Sequence, residues 1–296
     1  MQEKGLATRS EGALIVDLEK YGLPPAMVEK SDGASLYFTR EVANIEYRVS
    51  KYSPEKIIYV VGLEQSLHFQ QLFKVADLLG INTELFHIGN GLVLGPDGKK
   101  LSTREGKTIF IEDIINKAIS LTRKIVEEKN PTLLSEKEKD NIAQVVAIGA
   151  LKYNDLSQSR TSNITFDWDK MLSFEGDSGP YLQYAYARLR SILRKAETLN
   201  SKPEILNLNS EAELNLILKL DSFPDVVRYA AENFVPNHLA KYLYNLSHAV
   251  NAFYHDNPVL NADPDVRNAR LALIAVAAET LKTGLNLLGI ETLEQM

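Results

Sequence analysis

One short stretch limits the fold of this chain more than any other. Lys56-Ile57-Ile58-Tyr59-Val60-Val61 is an apolar run too short for a helix, and it stops at Gly62. A helical pattern follows from His68 to Leu79 and is closed by Gly80. A buried run, a glycine turn and an amphipathic helix spell one strand–helix unit of a parallel sheet. Ligands of such folds gather at the carboxyl ends of the strands, here around Gly62. Further strands are expected at Ala13–Leu18, Leu36–Thr39, Leu85–Ile88 and Leu92–Leu94.

Beyond Phe110 the pattern changes to helix. Glu112–Glu128 has helical periodicity, which Asn130-Pro131 breaks. Ser135 and Glu138 resemble a capping box that opens a helix running to Tyr153, and Asn163–Trp168 is β-prone. Helices are then expected at Tyr181–Leu199, Ser210–Leu220, Asp225–Asn233, Pro236–His255 and Asp265–Leu288, with Gly289 as a stop. The fold class is therefore an α/β partial nucleotide-binding (Rossmann-like) domain followed by an all-α helical bundle. Three segments are expected: residues 1–107, a connecting segment 108–178, and the bundle 179–296.

Composition excludes several classes. There is no cysteine, so neither disulfides nor thiolate metal sites can form. The start Met1-Gln2-Glu3-Lys4 has no apolar core behind it, and the run Leu271–Ala278 is too short to span a bilayer. No membrane association and a cytoplasmic location are the expectations. A net charge of −6 argues against coating nucleic acid by bulk electrostatics, but leaves room for a local basic stripe.

Residues 98–108 supply such a basic cluster. Lys99, Lys100, Arg104 and Lys107 stand with Ser102 and Thr103 on a glycine-bounded loop, and that combination suits a triphosphate. A solvated basic turn after a hairpin is the alternative. On the bundle side, Tyr181, Tyr184, Arg188, Ser191 and Lys195 recur at helical spacing, opposite Leu182, Leu189, Ile192, Leu193 and Ala196. Aromatics interleaved with cations suit unpaired RNA bases. A tyrosine-lined seam with a charged edge is the alternative. Asn251, Phe253 and Tyr254 are secondary candidates, with Phe253 assigned to packing.

Lys100-Leu101-Ser102-Thr103-Arg104-Glu105-Gly106 resembles the lysine-containing signature loop of class I aminoacyl-tRNA synthetases in its arginyl form. Ser31–Arg40, Gly62-Leu63-Glu64-Gln65 and His68-Phe69 resemble the second half of the arginyl catalytic domain. Phe174–Ala185 resembles the opening of that family's anticodon-binding domain. The resemblance is collinear from Met1 to Met296.

The resemblance implies an arginine–tRNA ligase that uses ATP, with Mg2+ accompanying the nucleotide and no protein metal site. Its partners would be L-arginine and tRNA for arginine, and the chain would be a monomer. Tyr37, Glu41 and Gln65 would bind arginine. Gly62, Gln65, His68, Lys99 and Lys100 would bind ATP, and Lys100, Ser102, Thr103 and Arg104 would serve catalysis. Tyr181, Tyr184, Arg188, Lys195, Tyr254 and Met296 would bind tRNA. Two departures stand out: Thr103 replaces the loop's second lysine, with Lys107 as a substitute cation, and Glu41 replaces an aspartate. The extra methylene moves that carboxylate by roughly 1.5 Å at full extension. On residue chemistry alone, Glu41 could instead pair with Arg40 or Arg48, Tyr37 could pack, and His68 could cap its helix.

His87-Ile88-Gly89-Asn90 superficially resembles the class's other signature, His-x-Gly-His, but lies only thirteen residues before Lys100. None of the five histidines forms that motif. The expectation is therefore a ligase lacking its N-terminal portion and inactive alone. The alternatives are a stand-alone tRNA-binding module or one subunit of a split enzyme. The missing segment would contribute strands and helices to the first sheet, so an exposed apolar edge is expected there.

Overall fold

A computed structural model of the chain describes residues 1–95, 110–129, 132, 134–196 and 208–296. They form two compact units, Met1–Leu92 and Val93–Met296.

The first unit opens with an antiparallel meander of β1 (Thr8–Ser10), β2 (Ala13–Val16) and β3 (Ala26–Glu29). Next come α1 (Tyr37–Tyr52), β4 (Lys56–Gly62), α2 (Ser66–Leu79) and β5 (Glu84–Asn90). Strands β4 and β5 are parallel, in register from Lys56 opposite Glu84 to Gly62 opposite Asn90. Leu18, Ile45, Leu72 and Ala76 are fully buried in one core with Phe38, Val42 and Phe69. Gly80 ends α2 in the left-handed region, at φ 87°.

The Leu36–Thr39 segment is helical and not a strand. Leu36 is the extended N-cap residue and Tyr37 begins α1. Four apolar or β-prone residues fit the first turn of a helix as well as a strand, and here the burial of Phe38, Val42 and Ile45 on one helical face decides.

Along β4, Ile57, Tyr59 and Val61 are partly covered, while Ile58 and Val60 are 47% and 71% exposed. Parallel strands are ordinarily covered on both faces. The sequence predicts an exposed edge; the exposed apolar side chains found here lie on one face of β4.

In the second unit, β6 (Val93–Leu94) pairs in parallel with β7 (Ile164–Thr165). This pairing joins residues 93 and 94 to the segment after them, so the units divide upstream of residue 107. The helices are α3 (Ile111–Lys129), α4 (Glu136–Leu156), α5 (Trp168–Met171), α6 (Gly179–Lys195), α7 (Glu211–Asp221), α8 (Phe223–Asn233), α9 (Pro236–Asp256) and α10 (Pro264–Leu287). The Asn130-Pro131 break and residues 197–199 lie outside the described residues. Trp168, expected at the end of a β-prone run, opens α5 instead because Asp167 caps it, accepting from the Asp169 and Lys170 amides.

Helix starts follow the capping chemistry. Ser135 and Glu138 satisfy one another's backbone amides at α4, as do Ser210 and Glu213 at α7. Leu216, Leu243, Leu246, Phe253, Leu271, Ile274 and Leu281 fill the bundle core. Among the described residues no helix is long and apolar enough to cross a membrane.

The close crossing of α4 and α6 sets the position of α6. A Cβ on Gly179 would stand 2.8 Å from the Gly149 carbonyl oxygen, with backbone on both sides unable to yield. Gly179→Ala should therefore destabilise the second unit by about 1–3 kcal/mol, the usual cost of overpacking. Urea denaturation followed by circular dichroism measures this, and unchanged stability would show that the crossing is loose.

Candidate functional site

In the first unit, the Asp32-Gly33 turn feeds α1. Asp32 Oδ1 accepts the Ala34 amide at 3.0 Å, and Gly33 holds φ at 82°, a value that suits glycine. Tyr37, Glu41 and Arg48 then fall on one face of α1. Tyr37 is 62% exposed, with its hydroxyl near the Glu41 carboxylate. Partial burial first, and Glu41 second, raise the Tyr37 phenol above its ordinary value.

Helix α2 brings His68 to this cluster. Its ring lies 5.5 Å from Tyr37, edge-on to Phe38 at 5.7 Å and to Phe69 at 5.2 Å. His68 Nε2 is buried without a hydrogen-bond partner among the described residues. Burial lowers the His68 pKa, against the pull of the Glu41 carboxylate. From β4, Tyr59 Oη accepts from Arg48 Nη1 at 3.2 Å, and the guanidinium sits 5.6 Å from the Tyr59 ring centre.

The structure thus brings together Tyr37, Glu41 and His68, adding Arg48 and Tyr59. Tyr59 had read only as a strand residue, and its spacing from Arg48 carries no motif. Arg48, a candidate partner for Glu41 in the sequence, instead donates from its guanidinium to Tyr59. Gln65 is exposed at the N-cap of α2, one turn before His68. Gly62 ends β4, where a side chain would meet the Glu64 carboxylate at 3.1 Å. His87 belongs to the packing beneath: it stacks on Phe69 at 4.5 Å, with Nε2 3.0 Å from the Val61 carbonyl. Lys99, Lys100, Ser102, Thr103, Arg104 and Lys107 lie outside the described residues.

In the second unit, Gly176 turns at φ 76° and Ser178 caps α6, accepting the Tyr181 amide at 3.2 Å. Asp177 anchors this loop by accepting from the Tyr153 hydroxyl at 2.6 Å. Leu182, Tyr186, Leu189 and Ile192 face the core, while Tyr184, Arg188 and Lys195 are exposed. Tyr181 is half-buried; its hydroxyl accepts from Asn251 at 2.9 Å and its ring meets Tyr244 and His248, each at 5.9 Å. The Arg188 guanidinium lies 5.5 Å over the Tyr254 ring.

After Gly289, residues 290–296 fold back on α6. Gln183 Nε2 donates to the Glu291 carbonyl at 2.8 Å. The Glu294 carboxylate accepts from the Tyr186 hydroxyl at 2.5 Å and from Arg190 Nε at 2.6 Å, while Arg194 donates to the Glu294 carbonyl at 2.9 Å. Burial pushes the Glu294 carboxyl upward, but the bonds from Tyr186 and Arg190 outweigh it and hold the group below the ordinary carboxylate range. The Tyr186 phenol is pushed up to about 12, by burial first and Glu294 second. This clamp delivers Met296 to a groove of about 540 Å³ shared with Tyr184, Arg188, Ser191, Arg194 and Lys195. Four of the six residues assigned to RNA therefore line one groove, and Tyr254 backs it through Arg188. Tyr181 looks elsewhere, toward α9. Arg190, Arg194 and Glu294 went unread in the sequence because their contact spans about a hundred residues.

The family model for the catalytic domain of class I tRNA synthetases of the arginyl (R) type matches residues 1–168, and that for the DALR anticodon-binding domain matches residues 182–296. The chain belongs to the arginyl-tRNA synthetase family. Arginine–tRNA ligases of Halothermothrix orenii and Clostridium acetobutylicum are 44% and 42% identical to it over 299 residues. That of Fusobacterium nucleatum is 45% identical over 298. The chain spans about half the length of these relatives, 52% of each, while the matches cover 99–100% of the chain itself. Among solved structures, the arginyl-tRNA synthetases of Plasmodium falciparum and Thermus thermophilus superpose on all of it with a TM-score of 0.86 each, at 28% and 29% identity. They are covered over 51% and 56% of their own lengths.

The His68 environment gives a pH test. The unfolded chain takes a proton on this ring near pH 6.5, whereas the folded chain resists it to a lower pH. The stability that neutral His68 contributes is thus complete above about pH 6.5 and is lost as the pH falls from there toward the folded value. The His68 ring protons should titrate by NMR with a midpoint below that of the free imidazole. A midpoint at or above it would show that the ring is solvated.

Proposed function

We propose that this chain carries the arginine-recognising and tRNA-gripping part of an arginine–tRNA ligase, which uses ATP to join arginine to its tRNA. The observation that carries the reading is the groove on α6, where an aromatic ring, Arg188 and Lys195 converge on Met296. That set suits unpaired bases: Tyr184 offers a stacking face and the cations meet the phosphates.

In the first unit, the Tyr37–Glu41 pair is the receptor for the substrate guanidinium. The Glu41 carboxylate beside Tyr37 would take two hydrogen bonds from a planar cation lying against the tyrosine ring. Arg48, the nearest internal competitor, is held off by Tyr59. Gln65 contributes a donor and an acceptor, while Gly62 and His68 border the nucleotide side. Lys99, Lys100, Ser102, Thr103 and Arg104 neutralise the triphosphate, with Mg2+ accompanying ATP and Lys100 as the leading cation. The arginine carboxylate attacks the α-phosphorus and pyrophosphate leaves; a hydroxyl of the tRNA's terminal ribose then takes the arginyl group from the adenylate, and AMP leaves.

The uncovered face of β4 supports a further point. Positioning of this kind needs both walls of the site, and one wall of this sheet is bare. The chain alone is therefore inactive in adenylate formation, and a covering segment, joined or separate, restores it. The chain acts as a monomer in the cytoplasm.

Tyr184→Ala should weaken binding of tRNA for arginine by about 1–3 kcal/mol, the worth of one stacked base, with the fold intact. Filter binding measures the effect, with circular dichroism as the control. Unchanged affinity in a folded variant would reduce the α6 face to a packing seam.

A further inference from the structure

A carboxylate that receives a guanidinium from outside must not be taken by a guanidinium of its own chain. Arg48 stands on the same face of α1 as Glu41, two turns further on, and both side chains are partly buried. The separation along the helix is about 10 Å. Extended arginine and glutamate side chains together reach roughly 11 Å. Helical side chains also lean toward the N-terminus, so Arg48 leans toward Glu41. Left to itself, this pair would close.

Tyr59 offers Arg48 another partner. Its Oη accepts from Arg48 Nη1 at 3.2 Å, and the guanidinium lies 5.6 Å from the ring centre. The ring is not free to follow Arg48 toward Glu41. It packs against Phe69 at 4.9 Å and Phe73 at 5.8 Å, both on α2. Its backbone is fixed in β4, opposite His87 of β5. Burial first raises the Tyr59 phenol; Glu41 adds to the rise and Arg48 opposes it, so both charges lie within electrostatic reach of this hydroxyl. A hydrogen bond to a charged group is worth a factor of roughly ten or more, enough to decide between two partners.

We propose that Tyr59 is a positioning residue for recognition of the substrate guanidinium: its hydroxyl holds Arg48, and without it Arg48 swings onto Glu41 and takes the substrate's place. Arg48 is then an internal inhibitor kept in check by a single oxygen. The proposal rests on the reading of Glu41 beside Tyr37 as the guanidinium receptor. Tyr59 acts on that receptor only through Arg48.

Binding of L-arginine to the 296-residue chain, followed by isothermal calorimetry, tests this. Tyr59→Phe keeps the ring and its packing and removes only the oxygen, and it should weaken L-arginine binding about tenfold. Adding Arg48→Gln to that variant should restore the affinity, because the competing cation is gone. A purely structural role for the hydroxyl would not be rescued by removing its partner. Arg48→Gln alone should bind L-arginine as well as the unsubstituted chain or better. Unchanged affinity in Tyr59→Phe, no rescue in the double variant, or weaker binding in Arg48→Gln alone would each overturn the proposal and leave the receptor reading standing. No binding of L-arginine by the unsubstituted chain would overturn that reading and this one with it. Circular dichroism checks that each variant is folded, and should Tyr59→Phe not fold, the Arg48→Gln result still decides.

Discussion

The proposed RNA-facing surface depends on one carboxylate. Glu294 is gripped by Tyr186 and Arg190 on α6, and its carbonyl by Arg194, so residues 290–296 lie along that helix. The clamp is charge-assisted and partly buried, which makes these bonds stronger than neutral ones. It also settles the division of labour along α6. Tyr186, Arg190 and Arg194 hold the tail, which leaves Tyr184, Arg188 and Lys195 to face outward. Glu294 is fixed two residues before Met296, and the Gln183–Glu291 bond and the packing of Leu293 and Met296 against Val126 and Ile142 hold the same tail. The tight crossing of α4 and α6 at Gly149 and Gly179 sets the helix on which all of this is mounted.

The first unit is organised around a different constraint. Two parallel strands and two helices make a core, but they cover only one face of β4. At the ends of these elements Tyr37, Glu41 and His68 meet, above the Tyr59–Arg48 pair. Burial lowers the His68 pKa, which works against a positive charge on this ring beside Glu41. The proposed guanidinium receptor is thus a carboxylate beside a tyrosine, with the nearby Arg48 bonded to Tyr59 instead.

Much of this architecture was legible from local chemistry. The Ser135–Glu138 box, the helix start at Ser210, the stops at Gly80 and Gly289, and the strand–turn–helix around Gly62 are all short-range signals. The departures have both local and long-range causes. Leu36–Thr39 is too short for periodicity to separate a strand from the first turn of α1. The division after Leu92 follows from a two-residue strand whose partner lies seventy-one residues on, at Ile164. Of the residues assigned to RNA, Tyr184, Arg188 and Lys195 could be read from spacing on one helix, and Met296 from family resemblance. The Glu294 clamp could not, because it joins segments far apart in the chain.

The central claim is that the folded-back tail builds the RNA groove, and Glu294→Ala tests it most directly. The substitution removes a negative charge beside a surface meant for phosphates, so electrostatics alone would tighten RNA binding. If the clamp positions Met296 and frees Arg188 for its task, the variant should instead bind the tRNA transcript about tenfold more weakly, roughly 1.4 kcal/mol, while remaining folded. Affinity that is unchanged or tighter in a folded Glu294→Ala variant would contradict the account.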